Sequence, residues 1–235
     1  MPQIAWENRA RKKRQSVLDA IPKPWRLSPS TISAFGEHRN LTQAPRSLMS
    51  KDELIITESS AVAILENMHA GVWSAVTVTS AFCHRAAIAH QLVNCLTEIL
   101  FNEALAQAEE LDNFRAAGGL KGPLHGLPMS FMDRYRVANT ETAAGYIAWL
   151  GNKETAQSES LLVQQLRSLG VIPFCKTNLP MSMMLGETTN NIMGSTINPF
   201  VRTLSSGGAA GGAKDFLLFI QTQPNEQQAK LPLWQ

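Results

Sequence analysis

Residues 127–176 hold the stretch that most restricts the fold. LPMSFM at 127–132 and VIPFCK at 171–176 are short apolar runs bounded by turn residues, and SESLLVQQLRSLG between them has an amphipathic helical pattern closed by Gly170. Strand, helix, strand in that order implies a parallel pair with a right-handed crossover, since antiparallel neighbours need only a short turn. The connecting helix must bury its apolar stripe on the sheet, so the fold class is α/β.

Upstream the pattern is helical. A helix capped at Thr57 carries Val62, Ile64, Leu65 and Met68 on one stripe and stops at Gly71. WSAVTVTSAFCHRAAIAHQ reads as a second helix capped at Ser74, and NEALAQAEELDNFRAAGG as a third, ended by Gly118 and Gly119. Three helices therefore precede any clear strand. Residues 1–50 include the proline-rich IPKPWRLSPS and read as an N-terminal helical arm that wraps around a core. Residues 51–214 read as one domain and 215–235 as a divergent tail, in which DFLLFIQ at 215–221 is apolar and the rest lacks periodicity. The expectation is a chain that ends within its α/β domain. Such an ending leaves a sheet edge exposed for pairing with a partner or a second copy.

Composition excludes several classes. The net charge of +2 and isoelectric point near 8.5 are too mild for a nucleic-acid partner. Cys83, Cys95 and Cys175 are odd in number and lack the spacing of a zinc site or a disulfide framework. The polar, basic N-terminus has no signal-peptide core, and no window has the apolar length of a membrane span, so a cytoplasmic location is expected. The run Arg9, Arg11, Lys12, Lys13, Arg14 reads as the solvated face of a short helix.

LSSGGAAGGAK at 204–214 places Gly207, Gly208, Gly211 and Gly212 around Ala209 and Ala210. A loop this free of bulk lets backbone approach something closely. It does not fit a Walker cradle, because Ala213 separates the last glycine from Lys214 and Asp215 follows. No strand-like run leads directly into it, which argues against a dinucleotide fingerprint.

GPLHGLPMSFMDRYRV, TAAGYIAWLG, SESLLVQQLRSLGVIPFCKTNLP, LGETTNNIMGSTINPF and LSSGGAAGG, in that order, resemble the amidase signature family, most closely its fungal acetamidase-like members. The likeness runs from about Lys51 to Gly212 and takes in the helical segment AFCHRAAIAHQLVNCLTEILFNEAL. It implies hydrolysis of small carboxamides to acid and ammonia or amine, on an α/β fold, without metal or cofactor. It also implies a triad in which a lysine freed of its proton by burial acts as base, one serine relays the proton and a second attacks. The family's lysine falls at Met132, directly before Asp133, and its relay serine at Ala209. The nucleophile follows some two dozen residues later in the family, whereas this sequence has no serine beyond Ser206. A thioether accepts no proton at neutral pH and an alanine has no hydroxyl. The resemblance thus implies an amidase-family protein that is catalytically impaired or inactive, with no intact catalytic residue; the alternatives are an amide hydrolase active only with a C-terminal half or partner chain that brings the nucleophile, and a non-catalytic binding or interaction module.

Substitute groups are few. Ser205 and Ser206 precede the glycines and read as turn residues. His125, between turn residues, reads as a hydrogen-bonded structural histidine. Cys175 follows apolar VIPF and reads as buried and inert despite Lys176 beside it. Glu187, Asn190, Asn191 and Asn198 resemble the family's scaffold for the glycine loop, and Asp133 reads as an anchor for loop backbone.

Overall fold

The computed structural model describes residues 4–208 and 210–213. Ala209, Lys214 and the tail at 215–235 lie outside the described residues.

The longest helix, α6 (Ala75–Val93), sits at the centre of the helical layer. Its start is held twice: Ser74 Oγ accepts from Thr77 N, and the Asp112 carboxylate accepts from Ala75 N and Val76 N at 2.7 and 3.0 Å. A carboxylate at a helix N-terminus both fills orphan donors and opposes the macrodipole. Asn94 ends the helix in the left-handed conformation, φ 55°, and turns the chain into β1 (Leu96–Ile99). The next helix, α7 (Phe101–Ala116), packs on α6 and ends before Gly118, φ 90°.

β2 (Pro128–Met132) and β3 (Ile172–Thr177) form the expected parallel pair, joined through α8 (Leu161–Ser168). Gly170 allows the tight return into β3: its φ is 101°, and a Cβ there would stand 2.6 Å from His125 Cα. β3 is central in the order β1-β3-β2, and all six of its residues are buried. Ile172, Phe174 and Cys175 join Ile88, Leu96 and Phe101 in the main core. Each fully buried large side chain contributes on the order of 1.5–3 kcal/mol.

Three local expectations are corrected. Thr57 is no cap. It is buried within α4 (Lys51–Glu58), which starts at Ser50 with a capping box to Glu53, and Ser60 caps a separate α5 (Ala61–His69). The stretch LTEI, inside a segment read as helical, is strand β1, antiparallel to β3. The basic run, in α1 (Ile4–Asp19), is only partly a wet face: Arg9 donates to Leu150 O, Arg14 to Ile192 O, and Lys13 bridges Glu98 and Glu141. From residues 4–50, Ile21 and Leu41 belong to the main core, and Trp25 stacks on His84 at 5.4 Å. Among the described residues no helix is long and apolar enough to cross a membrane.

Candidate active site

Adjacent residues at the end of β2 have different surroundings. Met132, half-buried and paired in register with Thr177, opens onto an apolar hollow that Ala213 also lines. The structure therefore brings the strand-end position and the end of the glycine loop to one cavity, of about 460 Å³. Asp133 is buried and lies within a charge cluster.

In that cluster Lys176 Nζ meets Asp133 Oδ1 at 2.9 Å, Glu141 O at 2.8 Å and Thr142 Oγ1 at 3.0 Å. Asp133 Oδ2 accepts from Ala144 N at 3.1 Å, which anchors a residue held at φ 47°. Lys13, Glu98 and Glu141 complete the group. Burial pushes the Asp133 and Glu98 carboxyls above their usual range, against the pull of Lys176 and Lys13. Burial lowers the Lys13 pKa, but Glu98 and Glu141 outweigh it and the net shift is upward. Lys176 is completely buried with each of its three donors opposite an oxygen, so its geometry suits holding loops rather than taking a proton from a nucleophile.

The glycine loop is fastened from both sides. Ser205 pairs with Ile197 in an antiparallel bridge, and its Oγ accepts from Gly207 N at 3.0 Å, a local turn. Gly207 and Gly208 have φ of 71° and 57°. Gly208 N donates to Gly186 O at 2.6 Å, while Thr188 Oγ1 donates to Gly208 O at 2.8 Å. Gly212 lies against the chain after β3, where an added Cβ would sit 2.0 Å from Asn178 O; one on Gly211 would sit 2.1 Å from Thr188 Oγ1. Ala210, exposed, precedes this one-turn helical stretch.

Of the expected scaffold residues, Asn190 and Asn198 are engaged. Asn190 Nδ2 donates to Asn178 Oδ1 and Leu179 O, its Oδ1 accepts from Ile192 N and Met193 N, and Asn198 Nδ2 donates to Ser205 O. Glu187 and Asn191 are exposed. Thr188 and Asn178, which the motif reading did not single out, do the work expected of those two. Neither stands next to a glycine doublet in the sequence, so no local pattern marked them; their role comes from the chain packing that brings them against Gly208, Gly211 and Gly212.

The substitute groups do not assemble into a triad. His125 lies before the start of β2, at the opposite end of the strand from Met132, and its Nδ1 accepts from Lys121 N at 3.0 Å; burial lowers its pKa. Cys175 is buried and its thiol is pushed well up by desolvation. The Ser206 hydroxyl is buried without a hydrogen-bond partner among the described residues. Among the described residues no three His, Cys, Asp or Glu side chains gather as a metal site would require.

The family model described as Amidase matches residues 77–213. An acetamidase of Aspergillus oryzae is 43% identical over 213 residues, covering 90% of this chain and 38% of its own length. An acetamidase of Emericella nidulans is 42% identical over 215 residues, and a probable amidase of Saccharomyces cerevisiae 38% identical over 208. Among solved structures, a fatty acid amide hydrolase superposes with a TM-score of 0.81 at 35% identity, over 88% of this chain and 37% of that one. The native peptide amidase from Stenotrophomonas maltophilia gives a TM-score of 0.63 at 28% identity, over 68% of this chain and 34% of that one. The chain spans about 38% of the length of the curated relatives it matches. Ordered motifs, α/β architecture and these likenesses together show that the chain belongs to the amidase family.

Proposed function

We propose that this chain retains the scaffold of a carboxamide hydrolase while lacking the family's own route to hydrolysis. The substrate class is read from the acetamidases it resembles, and the scaffold from residues 51–214, with 1–50 as an arm around it. The single observation that carries the reading is Met132: the position that matches the family's base opens onto an apolar hollow and bears a thioether. Losing a general base alone removes about 100-fold to 10,000-fold of rate. Ala209, at the position of the relay serine, takes away the hydroxyl that would pass the proton on. Ser205 and Ser206 act as loop residues in this reading, and the three buried thiols suit a reducing, cytoplasmic setting.

The test is ammonia release from acetamide and longer carboxamides by the purified chain. The expected result is no turnover above the uncatalysed rate; turnover that Ser206→Ala abolishes overturns the proposal. Restoring Met132→Lys and Ala209→Ser in a chain extended by a relative's C-terminal part is expected to bring activity back.

A further inference from the structure

The chain that follows β2 builds a cleft that the hydrolase reading does not use. It encloses about 420 Å³, within the range of small-molecule sites. Arg134, Arg136 and Trp149 line it together, and all three are exposed. Among the described residues neither guanidinium meets a carboxylate within 4.0 Å, although seven such ion pairs form elsewhere in the molecule. Arg134 instead rests against Tyr135, its Cζ 5.3 Å from the ring centroid. Glu154, the single carboxylate among the described walls, has its Oε2 accepting from Ser158 Oγ at 2.6 Å. Positive charge is therefore in excess in the cleft.

Its walls are held by their own backbone contacts. Arg136 N donates to Ser160 Oγ and Arg136 O accepts from Ser160 N, both at 2.9 Å. Glu154 N donates to Thr140 O at 2.8 Å. Trp149 ends a 3₁₀ turn, Ile147–Trp149, with its ring centroid 4.7 Å from that of Tyr146. Ala144 and Met183, also in the walls, have φ of 47° and 60°, a conformation that the surroundings must impose on a residue with a side chain. A site whose groups are placed beforehand loses less entropy when a ligand arrives.

A guanidinium presents five donors in a planar fork that matches a carboxylate, and the face of an indole accepts a flat ring. We propose that this cleft binds a small aromatic carboxylate, with the anionic group on Arg134 and Arg136 and the ring on Trp149. Inorganic phosphate shares the charge but offers nothing to the indole, and is the competing occupant. The inference stands apart from the hydrolase reading, since none of these groups occupies a triad position.

The test is calorimetric titration of the purified full chain with benzoate, acetate and inorganic phosphate. The expected result is saturable one-site binding of benzoate, weakened about tenfold in Arg134→Gln and in Arg136→Gln. Arg39→Gln removes the same charge from an exposed arginine outside the cleft and is expected to leave binding unchanged. Acetate is expected to bind more weakly than benzoate, and the gap is expected to close in Trp149→Leu. No saturable benzoate binding, binding that both cleft variants leave intact, or an equal loss in Arg39→Gln overturns the proposal. Phosphate binding more tightly than benzoate, or acetate matching benzoate in the parent chain, overturns the aromatic carboxylate in favour of a simple anion. A gap between acetate and benzoate that survives in Trp149→Leu overturns the placement of the ring.

Discussion

Met132 and Asp133 are consecutive residues with opposite environments, and the regions they face differ in the same way. Around Asp133, buried charge is compensated: Lys176 meets three oxygens, and Lys13 ties α1 to Glu98 and Glu141. Around Met132 the walls are largely apolar and, among the described residues, hold no ionic partner for a base. The difference teaches that one strand end can carry a compensated charge cluster and an apolar hollow on successive residues. A buried ion pair that fastens loops is costly to break, whereas replacing an ionisable group in an apolar hollow by a thioether removes a desolvation penalty.

Breaking the compensated side is expected to have the largest effect. Lys176→Met leaves Asp133 buried beside one backbone donor and is expected to cost about 3–5 kcal/mol in chemical denaturation. A loss below about 1 kcal/mol would show that solvent reaches the cluster.

His90, at the turn from α6 into β1, gives a pH test of the buried scaffold. Its Nδ1 accepts from Leu96 N at 3.2 Å, holding the turn from α6 into β1, and burial lowers its pKa from 6.5 to about 4. A folded pKa below the unfolded one means that the unfolded chain binds the proton first. The contribution is therefore fully present above 6.5 and is lost as pH falls toward 4, up to roughly 3 kcal/mol. Asp133 and Glu98, raised by burial, work in the opposite direction, so the readout is a difference. His90→Gln keeps an acceptor without a titration and is expected to lose less stability than the parent between pH 7 and pH 4; equal losses would refute the assignment.

Met132→Lys without a relay serine sharpens the contrast at the apolar side. It is expected to destabilise by about 1–3 kcal/mol at neutral pH, with the loss shrinking at alkaline pH as the amine becomes neutral. The smallest effects belong to the loop. Ser206→Ala removes a hydroxyl with no partner among the described residues and is expected to be neutral or slightly stabilising, whereas Ser205→Ala loses the Gly207 N contact, about 0.5–1.5 kcal/mol. Thermal melts of both variants check the order.

Much of this was legible in the residues. The parallel β2–β3 pair follows from apolar runs flanking an amphipathic helix, and Ser74 and Gly118 mark helix ends by their own chemistry. β1 was not legible, because four residues with a threonine and a glutamate become a strand only through pairing with β3. The Ser50–Glu53 capping box was present in the sequence but was outweighed by the apolar stripe that begins at Val62. The role of the basic run depended on contacts 85 to 178 residues away, to Glu98, Leu150 and Ile192, which no local pattern encodes. At the site, the identity of Met132 was legible and its surroundings were not, since the hollow takes residues from α4, α5, α6, α8, β2, β3 and the loop end.

The proposal on which the functional reading rests is that no hydroxyl in this chain is activated for attack on a carbonyl. Intact-mass measurement after incubation with a serine-reactive fluorophosphonate tests it most directly. The account predicts an unchanged mass; a stoichiometric adduct on any serine, lost when that serine is replaced by alanine, would contradict it.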